Sequence, residues 1–335
     1  MKKNSKDAAC SALEKSIGQF DAKVSLGMPT TLTAQGRKLR RKLSAPAGTL
    51  ADKDARRFAG QTMISEMVEH HKRTKGKAYR HFLVTICWDA GVVNAAGPFD
   101  YDLSAMRRKA YKSARDVGLC GVFVFEVVPL RRSLGLGESL LIHLHGACWT
   151  KDPAFQPEVS ARQLSRRFKN SLGAPSVTIQ SRQKAATKFR NKRSDIYAHL
   201  FSELDEDQSE ESMAWLGYYL FQAPAWAKQI VPKRDRGDRF AMRSCQKGYS
   251  PQLAISLHKL LSEIEWKAAV FSVGTGKAVL SPWRTKCRLE TKPKPAGKKP
   301  RNRNSIAKVR KRRARLLARM GRPDTTSLAK AAIPE

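Results

Sequence analysis

Three apolar runs stand out in the middle of the chain. His81-Phe82-Leu83-Val84-Thr85-Ile86-Cys87-Trp88 is β-branched and aromatic and is closed by the Gly- and Pro-containing stretch to Pro98, so it reads as a first strand. Gly121-Val122-Phe123-Val124-Phe125-Glu126-Val127-Val128-Pro129-Leu130 is the strongest strand pattern in the chain, with a proline near its end. Ser139-Leu140-Leu141-Ile142-His143-Leu144-His145-Gly146-Ala147-Cys148-Trp149 supplies a third strand, and the turn-rich residues 131–138 join the last two as a hairpin. Helical spacing appears around them. Phe58, Met63, Ile64 and Met67 predict an amphipathic helix from residue 51 to about 71. Met106, Ala110, Ala114 and Val117 predict a basic helix introduced by Asp102-Leu103-Ser104 and stopped at Gly118. A helix at about 160–171 and a strand at 176–180 follow. The order β-α-β-β-α-β implies an α+β fold with a ferredoxin-like split βαβ antiparallel sheet and helices on one face.

The flanks are less regular. The first fifty residues mix small, polar and basic residues, with a Gly-Met-Pro break at 27–29 and the string Arg37-Lys38-Leu39-Arg40-Arg41-Lys42, and read as an arm. Residues 203–211 form an acidic loop. Ser212-Met213-Ala214-Trp215-Leu216-Gly217-Tyr218-Tyr219-Leu220-Phe221-Gln222 reads as a short apolar helix ended by Pro224, with Ser212 as its N-cap. A basic, weakly structured stretch at 232–249 leads to a helix near 252–266. Between Thr291 and Pro323 there are fourteen Lys or Arg and no acid, the composition of a disordered or DNA-ordered tail. Four parts result: a basic arm and leading helix (1–76), the α+β body (77–231), a helical basic extension (232–290) and a basic tail (291–335).

Charge narrows the partners. Of 335 residues, 64 are Lys or Arg and 29 Asp or Glu, for a formal net charge of +35, and a chain so cationic repels itself unless it sits beside a polyanion. Nucleic acid is the leading partner. No apolar run approaches the ~20 residues that span a bilayer, and the opening Met1-Lys2-Lys3-Asn4 begins no signal segment, so a soluble, cytoplasmic protein without a membrane partner is expected. The six cysteines (Cys10, Cys87, Cys120, Cys148, Cys245, Cys287) include no Cys-x-x-Cys pair and read as reduced thiols that fill the core.

The chemistry is concentrated in the hairpin. His143 and His145 project from the same strand face about 7 Å apart, while Leu144 points the other way. Glu126 is the only charge on the stripe Val122, Val124, Glu126, Val128, and a lone carboxylate there asks for a reason. If the hairpin closes symmetrically, facing positions sum to about 269 and Glu126 lies opposite His143. A Glu with two neutral His makes an open three-ligand site suited to Mg²⁺, Mn²⁺ or Zn²⁺. The plainer reading is half-exposed strand histidines and a glutamate paired to an arginine. A metal beside a basic surface polarises a phosphodiester, and a tyrosine hydroxyl is a nucleophile able to attack the phosphorus. Tyr218 and Tyr219 sit on the short helix after the sheet. Both also read as core aromatics.

A Glu-bearing strand, a strand with His-hydrophobic-His and then a Tyr-bearing helix resemble the HUH endonucleases, in particular the rolling-circle replication initiators of plasmids and phages. The resemblance covers about residues 80–230. It implies that His143 and His145 bind metal with Glu126 as third ligand, and that a tyrosine of Gly217-Tyr218-Tyr219-Leu220-Phe221-Gln222 is the nucleophile. Tyr219 is favoured over Tyr218, with Tyr197 a third candidate. These initiators commonly carry Tyr-x-x-Lys, whereas here Gln222 follows Tyr219 and the next lysine is Lys228. No Tyr-x-x-x-Tyr pair exists, which implies a single-tyrosine mechanism. The implied partners are single-stranded or extruded origin DNA, a host helicase and a host polymerase in a bacterial cytoplasm.

Other motifs carry less. Val273-Gly274-Thr275-Gly276-Lys277 hints at a phosphate loop, but Phe271 replaces the first glycine and Ala278 the magnesium-binding Ser/Thr. Arg310, Lys311, Arg312, Arg313 and Arg315 read as a clamp on the DNA backbone. Trp215, Trp226 and Trp283 read as packing residues, with base stacking the alternative. The function expected is site-specific, metal-dependent nicking of single-stranded DNA; a transposase or relaxase with the same chemistry and a non-catalytic nucleic-acid-binding protein are the alternatives.

Overall fold

Two thirteen-residue strands, β3 (Cys120–Arg132) and β4 (Glu138–Thr150), carry the architecture. In this computed structural model the described residues are 5–27, 46–75, 77, 79–132, 138–168, 177–181, 209–224, 227–232, 240–245 and 249–290. Strands of that length exceed the usual five or six residues, and each takes two further partners end to end along its outer edge. β4 pairs with β1 (Arg80–Ile86) through Leu144 to Thr150, and with β2 (Val92–Asn94) through Ser139 to Leu141. β3 pairs with β8 (Val270–Val273) near its start and, in parallel, with β6 (Ala227–Pro232) at its end. With β5 (Val177–Ser181) beside β1 and β7 (Phe240–Cys245) beside β6, the result is one mixed, curled eight-stranded sheet along the path β5-β1-β4-β3-β6-β7. Paired on both edges and covered on both faces, β4 is buried without a break from Ser139 to Thr150.

Among the described residues, eight α-helices complete this α+β fold. α1 is Ser5–Gly27, α2 Lys53–Thr74, α3 Leu103–Asp116, α4 Pro157–Ser165, α5 Ser209–Phe221, α6 Pro251–Glu263, α7 Trp266–Ala269 and α8 Lys277–Glu290. Local chemistry sets several ends. Asp52 caps α2 by accepting from the Asp54 and Ala55 amides at 3.1 Å, Asp102 caps α3 through the Ala105 amide at 2.8 Å, and Gly118 leaves α3 at φ +71°.

Cross-strand partners share a face, which makes the two sides of the sheet distinct. Phe82, Phe123, Phe125 and Leu144 point one way, toward α3 and the residues flanking α4: Phe82 meets Phe155 with ring centroids 5.1 Å apart, and Arg107 of α3 lies over Phe271, the β8 partner of Phe123. Thr85, Glu126, His143, His145 and Trp149 point the other way, toward α2 and α5. Trp149 packs under His70 of α2 at 4.1 Å between ring centroids.

Five expectations are corrected. Residues 5–27 are not part of an arm: Ala9, Leu13, Ile17, Phe20 and Val24 recur every three or four positions and are buried, with Leu13 against Gly60 of α2. Helices therefore cover both faces rather than one. The boundaries expected at 76–77 and 231–232 are absent, because α1, α2, α6 and α8 share one hydrophobic core with the sheet and Met1–Thr291 forms one unit, with Lys292–Glu335 a second. Ser212 is no N-cap; it lies buried within α5, which starts at Ser209. The stretch at 232–249, read as weakly structured, contains β7.

Replacing Leu13 by Ala removes a fully buried side chain and is expected to cost about 2–5 kcal/mol, measured by urea unfolding. An N-terminal arm would show no change.

Candidate metal centre

The β3–β4 register pairs Glu126 with His143 and Val124 with His145, positions that sum to 269, so one carboxylate and two imidazoles emerge side by side. Glu126 Oε2 lies 3.2 Å from His143 Nε2 and 2.8 Å from His145 Nε2, and the two Nε2 atoms are 2.8 Å apart. The rings meet edge to face at 83°. Among the described residues these three form a group with ligand atoms within 4.8 Å of one another, able to hold a metal ion. Both imidazoles are buried, at 3 % and 4 % exposure, and the Glu126 side chain is 11 % exposed.

Three mutual contacts of this kind cannot all be hydrogen bonds. An ionised carboxylate only accepts, so each contact to Glu126 needs a proton on an Nε2, and the two nitrogens would then face each other proton to proton. A cation in place of those protons removes the conflict. One carboxylate and two imidazoles are also the ligand types of an open three-ligand site, and their nitrogen content favours Mn²⁺ or Zn²⁺ over Mg²⁺.

The protonation states agree with that use. Burial pushes the Glu126 carboxyl upward, but hydrogen bonds from His143 and His145 and their charges outweigh it, and the group is held well below the ordinary carboxylate range. Burial, with His143 beside it, lowers His145 to about 4, so its ring is neutral near pH 7. Thr85, the β1 partner of His145, places Oγ1 3.0 Å from His145 Nδ1. With Nε2 on a metal, Nδ1–H donates to that hydroxyl and orients the ring. His143 Nδ1 is buried and has no hydrogen-bond partner among the described residues, so Nε2 is the polar anchor of that ring.

Of the two adjacent tyrosines, only Tyr219 meets the His pair. Its ring lies 4.7 Å from that of His145, at 74°. Tyr218 turns about 100° away around the helix, is 5 % exposed and packs edge-on against Trp215. Gly217 makes this approach feasible: a Cβ there would come within 2.7 Å of Ile64 Cα, so the glycine lets α5 press against the α2 backbone. Tyr197, Trp226, Arg310, Lys311, Arg312, Arg313 and Arg315 lie outside the described residues. Trp215 and Trp283 are core residues, Trp283 donating to the Ala59 carbonyl at 2.8 Å.

Two cations near the site were not singled out in the sequence. Arg56 of α2 is buried; its guanidinium donates to the Leu50 carbonyl at 2.6 and 3.2 Å and to the Gln222 carbonyl at 3.4 Å. It thereby ties down the chain just after Tyr219. It lines a small cleft with Glu126, Pro224 and Trp266, and although burial lowers it to about 10, the Glu126 charge opposes that shift. Its place on the buried stripe Arg56, Ala59, Met63, Met67, His70 was the available signal. Lys228, at the start of β6, is close enough for its charge to oppose protonation of His145. The Gly274-Thr275-Gly276 segment is a tight turn between β8 and α8: a Cβ on Gly276 would collide with the Gly121 carbonyl, and Thr275 accepts from Trp149 Nε1 at 2.9 Å. Its glycines serve packing.

Comparison with family models, curated proteins and solved structures finds no match to this chain. Among the described residues no helix is long and apolar enough to cross a membrane.

Titration calorimetry is expected to give one divalent site per chain, tighter for Mn²⁺ or Zn²⁺ than for Mg²⁺. Glu126→Gln should abolish it and Thr85→Val should weaken it about tenfold. A Thr85→Val protein with unchanged affinity would sever the hydroxyl from the site.

The metal-free protein should also be acid-sensitive. An imidazole titrates near ~6.5 in the unfolded chain, whereas burial holds His145 at about 4, and burial with Arg73 and His71 nearby holds His70 at about 4. Between those values the unfolded chain binds more protons, so stability falls as pH drops through the window, by up to about 3 kcal/mol per group. Urea midpoints measured from pH 7 to 4.5 should decline, and His70→Gln should flatten the decline. A level profile contradicts both assignments.

Proposed function

We propose that this chain is a metal-dependent endonuclease that nicks and rejoins single-stranded DNA by tyrosine attack, of the HUH type that initiates rolling-circle replication. The observation that carries this reading is the Tyr219 ring stacked edge-on against His145 beside the Glu126–His143–His145 group, on one face of the sheet. The order β5-β1-β4-β3, antiparallel throughout, supports it as the order of a ferredoxin-like split βαβ sheet. The extra strands and the α1–α2–α5 layer are additions to that plan.

A divalent ion held by Glu126, His143 and His145 would polarise a phosphodiester oxygen. The Tyr219 hydroxyl attacks phosphorus; its O–P bond forms as the P–O3′ bond breaks, leaving the 5′-phosphate on the tyrosine and a free 3′-OH for a polymerase. The proton that the phenol loses ends on the departing O3′ as the free 3′-OH, and Lys228 supplies the positive charge that Gln222 cannot. Arg56, bonded to the Gln222 carbonyl, holds the end of α5 so that Tyr219 keeps its height above the His pair. Positive charge from the chain, including Arg310, Lys311, Arg312, Arg313 and Arg315, holds the DNA through its phosphates. A host helicase and polymerase in a bacterial cytoplasm complete the reaction. A transposase or relaxase would use the same chemistry on another DNA end.

One observation favours a second reading. Both imidazoles are 3–4 % exposed, a burial that also suits a structural metal or polar cluster inside a non-catalytic nucleic-acid-binding protein.

Incubation with single-stranded origin oligonucleotide and Mn²⁺ is expected to give a protein–DNA adduct that survives boiling in detergent. Tyr219→Phe should abolish the adduct, whereas Tyr218→Phe should retain it with reduced stability. Cleavage by a His143→Ala/His145→Ala protein would remove the metal mechanism, and a metal-binding protein that never forms an adduct would support the structural reading.

A further inference from the structure

The side of the sheet turned away from the metal centre carries a second concentration of positive charge. α3 presents Arg107, Arg108, Lys109, Lys112 and Arg115 to solvent, while Met106, Ala110, Ser113 and Ala114 face inward. Arg108, Lys112 and Arg115 are spaced i, i+4 and i+7 and so line one stripe. The acid at the end of this helix, Asp116, is already engaged by Arg167 at 2.6 Å.

α8 adds to this surface. Arg284 donates through Nη2 to the Val270 carbonyl at 3.1 Å, while Arg107 lies over the ring of the next residue, Phe271, at 5.6 Å from its centroid. Two guanidiniums from different helices thus flank the start of β8. Beyond the effect of burial, Arg107 and Arg288 both lower the pKa of Arg284, as crowded like charges do. The Nε of Arg284 is buried and has no hydrogen-bond partner among the described residues. Crowded cations with an unused donor favour an anion held between them. The basic segment of 291–323 begins directly after α8.

The repeated spacing points to a chain of phosphates. Tyr111 is the only large hydrophobic side chain exposed on α3, which leaves the stripe without the apolar face that a membrane-surface helix inserts. We propose that the outer stripe of α3 and the Arg284–Arg288 end of α8 form a ridge that binds the phosphate backbone of duplex DNA flanking the nicked strand. The choice of DNA rests on the proposed function; the ridge itself rests on the charge geometry. Substrate would then meet both faces of the sheet, the reacting strand at Tyr219 and the duplex at α3.

Fluorescence anisotropy with a duplex oligonucleotide across a KCl series tests this on the full-length protein. Each phosphate that the protein no longer neutralises lowers the slope of log affinity against log salt by about 0.9. Arg108→Ala/Lys112→Ala/Arg115→Ala is expected to lower it by roughly 2 to 3, and Arg284→Ala/Arg288→Ala by roughly 1 to 2. Metal affinity should stay unchanged in both variants, and the thermal midpoint in the α3 variant. Lys267→Ala, an exposed cation beside Glu265, should leave the slope as in the unsubstituted protein. Unaltered slopes in both ridge variants, or an equal drop in Lys267→Ala, overturn the proposal, as does tighter binding to phosphatidylserine vesicles than to the duplex. The readout is equilibrium binding, so failure of the adduct assay with these slopes as expected would sink the nicking reading alone.

Discussion

A carboxylate buried between two imidazoles is the constraint around which this molecule is arranged. Glu126 belongs to a strand otherwise lined with valine and phenylalanine, and a charge in such a place is unfavourable unless opposite charge or donors surround it. The β3–β4 register brings His143 and His145 to it, and β1 adds the Thr85 hydroxyl. A shift of one residue would turn the histidines to the phenylalanine side and leave the carboxylate alone among apolar groups. Register and site therefore specify each other.

The helical layer sets a tyrosine ring against this cluster. Gly217 lets α5 approach the α2 backbone, and Arg56 anchors the carbonyl that follows the helix. Between these two fixed points lies Tyr219, facing His145. Arg56 is itself buried within reach of the Glu126 charge, so removing either would leave the other less well compensated. Positioning and electrostatics are thus carried by the same residues.

Charge is divided between the faces. The side with the candidate metal ligands is covered by helices that bury their apolar stripes, and its cations Arg56 and Lys228 act locally. The α3 side presents its basic residues outward. In the proposed function this separates chemistry from grip: the reacting phosphate is handled by a few enclosed groups, and the bulk of the polyanion by exposed, salt-sensitive ones.

The central hairpin, its register and the shared face of Glu126, His143 and His145 were legible in the sequence, because strand alternation has a period of two and a long hairpin fixes which positions face each other. The preference for Tyr219 over Tyr218 came from the resemblance, and neither composition nor periodicity separates two adjacent tyrosines on an apolar helix. Their roles diverge only when α5 docks, which depends on how closely Gly217 lets it approach α2. The same limit hid α1, whose buried residues are spread among alanine, serine and lysine, and the short strands β6 and β7, of which β6 gains its ladder beside the far end of β3 and β7 beside β6. Local pattern determines which residues share a face of one strand or helix; contacts between elements distant in the chain decide which faces meet, because they depend on close packing that no single segment encodes.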